Sequence, residues 1–173
     1  MIRSGRACAL ALAAAGALSA GGCASVRGLW QEASNRDMTN RVAPALQSTA
    51  WIHCDANAPA PALAGRWTLL AFFDPQSSAT AERLAELSRI QDEFQPDGVV
   101  VFGITEVDRE RTAYFLEEEP VRFSVLAGAR ADRVAFGIKN LWEPVVYLVD
   151  PYERILAKGL AASRGLLQEK FGH

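Results

Sequence analysis

Arg66-Trp67-Thr68-Leu69-Leu70-Ala71-Phe72-Phe73-Asp74-Pro75-Gln76-Ser77-Ser78-Ala79-Thr80 is the stretch that decides the fold of this 173-residue chain. Trp67 to Phe73 is an apolar, aromatic-rich run, which suits a strand covered on both faces rather than one with a wet side. Beyond it, Ser78 to Phe94 reads as a helix, with Leu84, Leu87, Gln91 and Phe94 on one side and Glu82, Glu86 and Asp92 available for the other. Val99 to Ile104 is a second buried-strand run. Strand, helix, strand is a βαβ unit, and a right-handed crossover makes its two strands parallel.

Towards the C-terminus the alternation continues. Asp108 caps a helix that runs to about Glu118 and is ended by Pro120, and Phe123 to Leu126 is a short extended piece. Arg130 to Phe136 reads as helix. Val145 to Val149 and Ile155 to Lys158 form a hairpin across Asp150-Pro151-Tyr152-Glu153, and Ser163 to Phe171 closes the chain as a helix with Leu167 and Phe171 at i and i+4. This pattern predicts an α/β domain. On the N-terminal side, Ala56 to Pro61 is a stiff extended connector carrying Pro59 and Pro61. Between Ala24 and about Thr49 the sequence is polar with scattered apolar residues, of which Val26, Leu29, Trp30 and Ala33 have the spacing of a short amphipathic helix. Such a helix either lies on a membrane surface or packs on its own domain.

The first residues read as an address. Arg3 and Arg6 precede the apolar run Ala7 to Leu18, which small residues follow, and this is the pattern of an export signal. The run is shorter than the ~20 residues that span a bilayer. Leu18-Ser19-Ala20-Gly21-Gly22-Cys23 resembles the lipobox of bacterial lipoproteins, with Ala20 where that family usually has leucine. The resemblance implies that Cys23 is diacylated, becomes the first residue of the mature chain and attaches it to a lipid bilayer; the alternative is an ordinary cleaved signal with an incidental cysteine. With Ala24 rather than Asp after Cys23, resemblance to enterobacterial lipoproteins implies sorting to the outer membrane in preference to the inner. The expected organisation is a signal over 1–22, a lipid-anchored tether and connector over 23–62, and the main domain over 63–173.

Composition excludes several classes. The 18 Lys and Arg against 20 Asp and Glu give a formal charge of −2, which is no footprint for a phosphate backbone, so nucleic acid is not an expected partner. Three cysteines cannot all pair with one another and two histidines are too few for most metal sites, so a disulfide scaffold, a zinc fold and a bound cofactor are not expected. Cys8 leaves with the signal. If Cys23 carries lipid, Cys54 is the free thiol of the mature chain.

Three stretches carry a family resemblance: Leu63-Ala64-Gly65-Arg66-Trp67 leading into Leu69 to Phe73, Gly98 to Ile104, and Pro144-Val145-Val146-Tyr147-Leu148-Val149-Asp150. Together they resemble the redoxin branch of the thioredoxin superfamily, whose exported members include thiol-disulfide oxidoreductases and peroxiredoxin-like domains. The resemblance implies a central mixed sheet of about four to five strands flanked by helices. It also implies a Cys-x-x-Cys pair where the Phe-rich strand meets the following helix, because unpaired N–H groups and the helix dipole stabilise a thiolate there. In this chain Ser77 and Thr80 stand at those two places, and hydroxyls cannot form a disulfide. The peroxidase pattern Pro-x-x-x-Thr/Ser-x-x-Cys is missing too, since counting from Pro75 reaches Ala79 and Glu82. Ser77 or Ser78 is then expected to cap the helix.

Pro144 resembles the family's cis-proline, which faces the helix start and leaves the preceding backbone, here that of Glu143, open to an extended substrate. On that resemblance Phe73, Gln76, Trp142, Glu143 and Pro144 line a peptide groove; the plainer alternative is a trans proline at a strand entry, with Trp142 covering core. The expected function is a membrane-anchored binding or scaffolding module in the cell envelope with a degenerate Ser-x-x-Thr site, facing an envelope protein or an extended peptide. The rival is an enzyme, a single-cysteine thiol oxidoreductase or peroxidase using Cys54. His53 is next to Cys54, but neighbours on an extended segment point to opposite faces, which argues against a base and nucleophile pair. Cys54 also reads as a small buried hydrophobe. A metal carrier built on His53 and Cys54 lacks the number of ligands that tight sites need.

Overall fold

Successive side chains of a strand point to opposite faces, so an all-apolar run needs cover on both sides. The computed structural model, which describes residues 35–52 and 62–172, supplies that cover. In chain order its elements are β1 (Ala50–Ile52), β2 (Thr68–Phe72), α1 (Thr80–Phe94), β3 (Val100–Ile104), α2 (Arg109–Glu118), β4 (Ser124–Ala127), α3 (Arg130–Ala135), β5 (Val145–Val149), β6 (Ile155–Lys158) and α4 (Leu160–Phe171). They form one sheet in the order β1-β4-β3-β2-β5-β6. β2 runs parallel to β3 and β3 parallel to β4, whereas β5 is antiparallel to β2 and β6 antiparallel to β5. The βαβ unit expected around α1 is thus formed.

All five residues of β2 are buried, and their alternation divides the core in two. Leu70 and Phe72 face a layer holding Phe102, Phe136 and Tyr147, together with Met38 and Ala43 from the N-terminal segment. Leu69, Ala71 and Phe73 face the opposite layer, where Leu84, Leu87, Ile90 and Phe94 of α1 and Leu167 of α4 close over them. Gln91, which the periodicity puts on the apolar side of α1, is tolerated there because its amide is used. Its Oε1 accepts the Val101 N–H at 2.7 Å and its Nε2 donates to the Val99 carbonyl at 3.4 Å, which fixes α1 against the start of β3.

Two expectations are corrected. The sheet has six strands rather than four to five, because β1 pairs antiparallel with β4, with Trp51 opposite Leu126. The tether expected over 23–62 gives residues 35–52 to the domain. Val42 bridges to Arg154 beside β6, Met38 and Ala43 are buried, and Trp51 meets the Phe102 ring edge-on at 5.4 Å. A three-residue strand in which every residue is half-buried has no alternation to read, and only its distant partner β4 makes it a strand.

Helix boundaries differ in an informative way. Asp108 caps α2 as expected, its carboxylate accepting the Arg111 N–H at 3.0 Å. α1 begins at Thr80 with Ala79 at its N-cap and no side-chain cap bond, so neither Ser77 nor Ser78 caps it. α4 begins at Leu160, ahead of the expected Ser163, because Gly159 turns the chain with φ of 93°. Among the described residues no helix is long and apolar enough to cross a membrane. Cys23, the export signal, the 26–33 amphipathic pattern, His53 and Cys54 lie outside the described residues.

Candidate functional site

Phe73 prolongs β2 by one step, its N–H donating to the Ile104 carbonyl at 2.9 Å, and the chain then turns on Asp74. Asp74 Oδ1 accepts the Gln76 N–H at 2.9 Å, and the Asp74 carbonyl accepts both the Ser77 N–H at 3.0 Å and the Thr80 hydroxyl at 2.7 Å. The Thr80 N–H donates in turn to the Ser77 carbonyl at 3.0 Å. Asp74 therefore organises the approach to α1, its carboxylate through the side-chain to backbone bonding typical of Asp and its carbonyl by closing the turn.

The two hydroxyls at the places where the family resemblance implies cysteines have separate employment. Thr80 is fully buried and its Oγ1 is committed to Asp74. The Ser77 hydroxyl reaches across to the loop before β5 and donates to the Trp142 carbonyl, while accepting a long contact from the Ala79 N–H at 3.4 Å. An amide carbonyl is not a base, so this bond positions Ser77 without activating it as a nucleophile. No cysteine lies among the described residues. Nor does any group of three or more His, Cys, Asp or Glu among them have the arrangement to hold a metal ion.

Between the two loops lies a groove of about 550 Å³, with Asp74 and Gln76 to Ala79 on one wall and Leu141 to Glu143 on the other. Gln76, Trp142 and Glu143 are brought together there, and Pro144 follows them half-buried at the entry to β5. Phe73 is not part of it, which corrects the expectation. Strand alternation carries its side chain to the layer under α1, where it is fully buried, near Phe115 at a ring-centroid distance of 6.3 Å. The indole of Trp142 is 68% exposed, so covering core is not its role.

The wall bearing Trp142 is held by residues that sequence reasoning passed over. Asn35 is buried; its Oδ1 accepts the Lys139 N–H at 2.8 Å and the Asn140 N–H at 3.2 Å, and its Nδ2 donates to the Asn140 carbonyl at 3.1 Å. Next to it, the Arg36 N–H donates to the Gly137 carbonyl at 3.1 Å. The Arg36 side chain occupies the space where a Cβ on Gly137 would lie, at 2.6 Å, and Gly137 itself has φ of 66°. Further along, the buried Asp132 carboxylate accepts the N–H groups of Gln47 at 2.6 Å and Ser48 at 3.1 Å. A lone Asn in a polar stretch has no periodic signal, and Asp132 on a short helix reads as solvated, so nothing local marks either residue.

Below this brace, Tyr147 donates its hydroxyl to the Arg36 carbonyl at 2.8 Å. Burial, and secondarily the negative charge of Asp37, push its pKa up to about 12. Asp37 is held below the usual carboxylate range by the Thr39 N–H and hydroxyl, both bonded to its Oδ1.

No protein-family model and no curated protein matches the sequence. Solved structures do match the fold. The thioredoxin domain of a thiol-disulfide oxidoreductase from Bacteroides vulgatus is 20% identical, covering 78% of this chain and 99% of its own, with a TM-score of 0.62. A thiol:disulfide interchange protein from Bacteroides sp. is 22% identical over 78% of this chain and 94% of its own, with a TM-score of 0.60. A thiol-disulfide oxidoreductase from Bacteroides fragilis is 23% identical over 62% of this chain and 83% of its own, with a TM-score of 0.56. With its mixed central sheet, its helix-covered faces and these neighbours, the chain is thioredoxin-like in fold.

Proposed function

We propose that this chain is a membrane-anchored lipoprotein of the cell envelope whose thioredoxin-like domain has a degenerate Ser77-x-x-Thr80 site and serves as a binding or scaffolding module. The observation that carries the reading is the Ser77 hydroxyl bonded to the Trp142 carbonyl: the first redox position is spent on joining the two walls of the groove. Thr80, at the second, is buried and bonded to Asp74, out of reach of a substrate. Disulfide exchange requires a thiolate to attack and a second thiol to resolve, and neither position supplies sulfur. The anchor reading rests on Cys23 within its lipobox-like stretch and on the two-arginine start of the chain. The partner is an envelope protein or a peptide segment that takes the place a thiol substrate has in catalytic relatives.

The test is insulin reduction by the full chain beside its Cys54→Ser variant. Absence of turnover in both is the expected result. Catalysis that survives loss of Cys54 would overturn the degenerate-site reading, and catalysis abolished with Cys54 would favour the single-cysteine enzyme.

A further inference from the structure

We infer that the groove between Asp74 and Trp142 receives a basic peptide segment, with a lysine or arginine side chain lying against the Trp142 indole and its charge directed to Asp74. This rests on the binding-module reading and names the class of partner.

The chemistry left available in the groove selects the ligand. The Ser77 hydroxyl is turned to the Trp142 carbonyl and Thr80 is buried, so the old redox positions offer a ligand nothing. Asp74 uses only Oδ1, on the Gln76 N–H; Oδ2 takes no donor among the described residues. Trp142 is 68% exposed and pairs with no other ring among them. Indole is the strongest aromatic acceptor for a cation lying over its face. Glu143 adds a second carboxylate to the lining, and no lining residue is Lys, Arg or His. An anionic partner would meet like charge, and a purely apolar one would bury the Asp74 carboxylate with nothing to replace its water. A cation with an alkyl stem satisfies both the ring and the carboxylate. Gln76 and Ser78 are exposed on the same wall and each can donate as well as accept, which suits the N–H and C=O groups of a peptide. A polyamine has no acceptors for their donors.

The test uses the full chain labelled with 5-fluorotryptophan, whose four tryptophans each give one fluorine resonance, that of Trp142 being assigned by its loss in Trp142→Phe. Tetralysine, tetra-alanine, tetraglutamate and spermidine are the probes. Tetralysine should shift the Trp142 resonance saturably and leave those of Trp51 and Trp67 unmoved. Asp74→Asn keeps the Oδ1 acceptor for Gln76 and removes the charge, and should weaken that binding about fivefold or more, whereas Glu110→Gln, an exposed acid in the first turn of α2, should leave it as it is. Equal losses in the two variants would mean unspecific attraction to an acidic surface and would overturn the inference. So would no shift with any probe, or spermidine binding as tightly as tetralysine. Tetra-alanine or tetraglutamate acting as well as tetralysine would sink the cationic class while leaving a peptide groove in place, and only redox turnover would remove the binding-module reading itself.

Discussion

Asn35→Ala should loosen one wall of the groove while leaving the sheet folded. The side chain is 4% exposed and makes three hydrogen bonds to the loop, two accepted from Lys139 and Asn140 N–H and one donated to the Asn140 carbonyl. A net contribution of roughly 0.5–1.5 kcal/mol per bond brackets the loss at about 1.5–4.5 kcal/mol, and water entering the vacated space pulls it towards the lower half of that range. The loop keeps its attachment through the Arg36 N–H, and the Lys158 ammonium bonds the Asn35 backbone carbonyl, which the substitution preserves. The loss should therefore fall first on the loop that carries Trp142.

Hydrogen exchange followed peptide by peptide on the full chain measures this. A local loss of about 2–3 kcal/mol corresponds to roughly 30- to 150-fold faster exchange over residues 138–142, with much smaller changes in β2, β3 and β5. Asn35→Asp keeps acceptors for the two N–H groups but sets a carboxylate against the Asn140 carbonyl, so it should fall between wild type and Ala. Unchanged exchange over residues 138–142 in Asn35→Ala, or acceleration that is uniform across the sheet, would refute the idea that Asn35 positions this wall.

Four further outcomes follow from other parts of the molecule. Gly103→Ala would place a Cβ 3.1 Å from atoms of Phe73, Phe123 and Val125, and this overpacking should cost about 1–3 kcal/mol in urea denaturation. Tyr147, raised to about 12, contributes stability that is complete below its unfolded pKa near 10 and is lost as pH rises from there through 12; Tyr147→Phe should flatten the fall by roughly 2–3 kcal/mol over that window in denaturation curves. Cys23→Ser should release the chain from membranes or block removal of its signal, read by fractionation, and unchanged membrane attachment would rule out the lipid anchor. In a Cys54→Ser background, the pair Ser77→Cys and Thr80→Cys should form a reversible disulfide, because the Thr80 N–H to Ser77 carbonyl bond of 3.0 Å holds the two residues within one turn; free thiols that resist oxidation would contradict that geometry.

The parts of the fold legible in the sequence are those whose information is local. Apart from Thr68 the β2 run is apolar because both its faces are covered, and the periodicity of α1 is that of a helix lying on one of those faces. Asp108 declares the start of α2 through a bond made three residues away. What escaped is what depends on distant partners. β1 has no alternation of its own and becomes a strand by pairing with β4. The family resemblance implies Phe73 in the groove, yet strand alternation sends it the other way into the core. Ser77 and Ser78 precede a helix, as caps do, but Asp74 had already closed the turn, leaving Ala79 at the cap position and Ser77 free to bond across the groove.

That cross-groove bond cannot by itself set the shape of the site. One hydroxyl to carbonyl bond at a partly exposed position contributes on the order of 1 kcal/mol net, too little to hold a whole wall in place. The wall carrying Trp142 is held instead by Asn35 and Arg36, and the α3 helix leading into it is tied through Asp132 to Gln47 and Ser48. All four of those partners belong to the segment that the sequence assigns to the tether, and they begin twelve residues after Cys23. One wall of the groove is therefore supported by the segment that precedes the redoxin-like stretches. A truncation that removed residues 35–48 as dispensable linker would leave the redoxin-like motifs of 63–160 intact in sequence and deprive the Trp142 wall of its support.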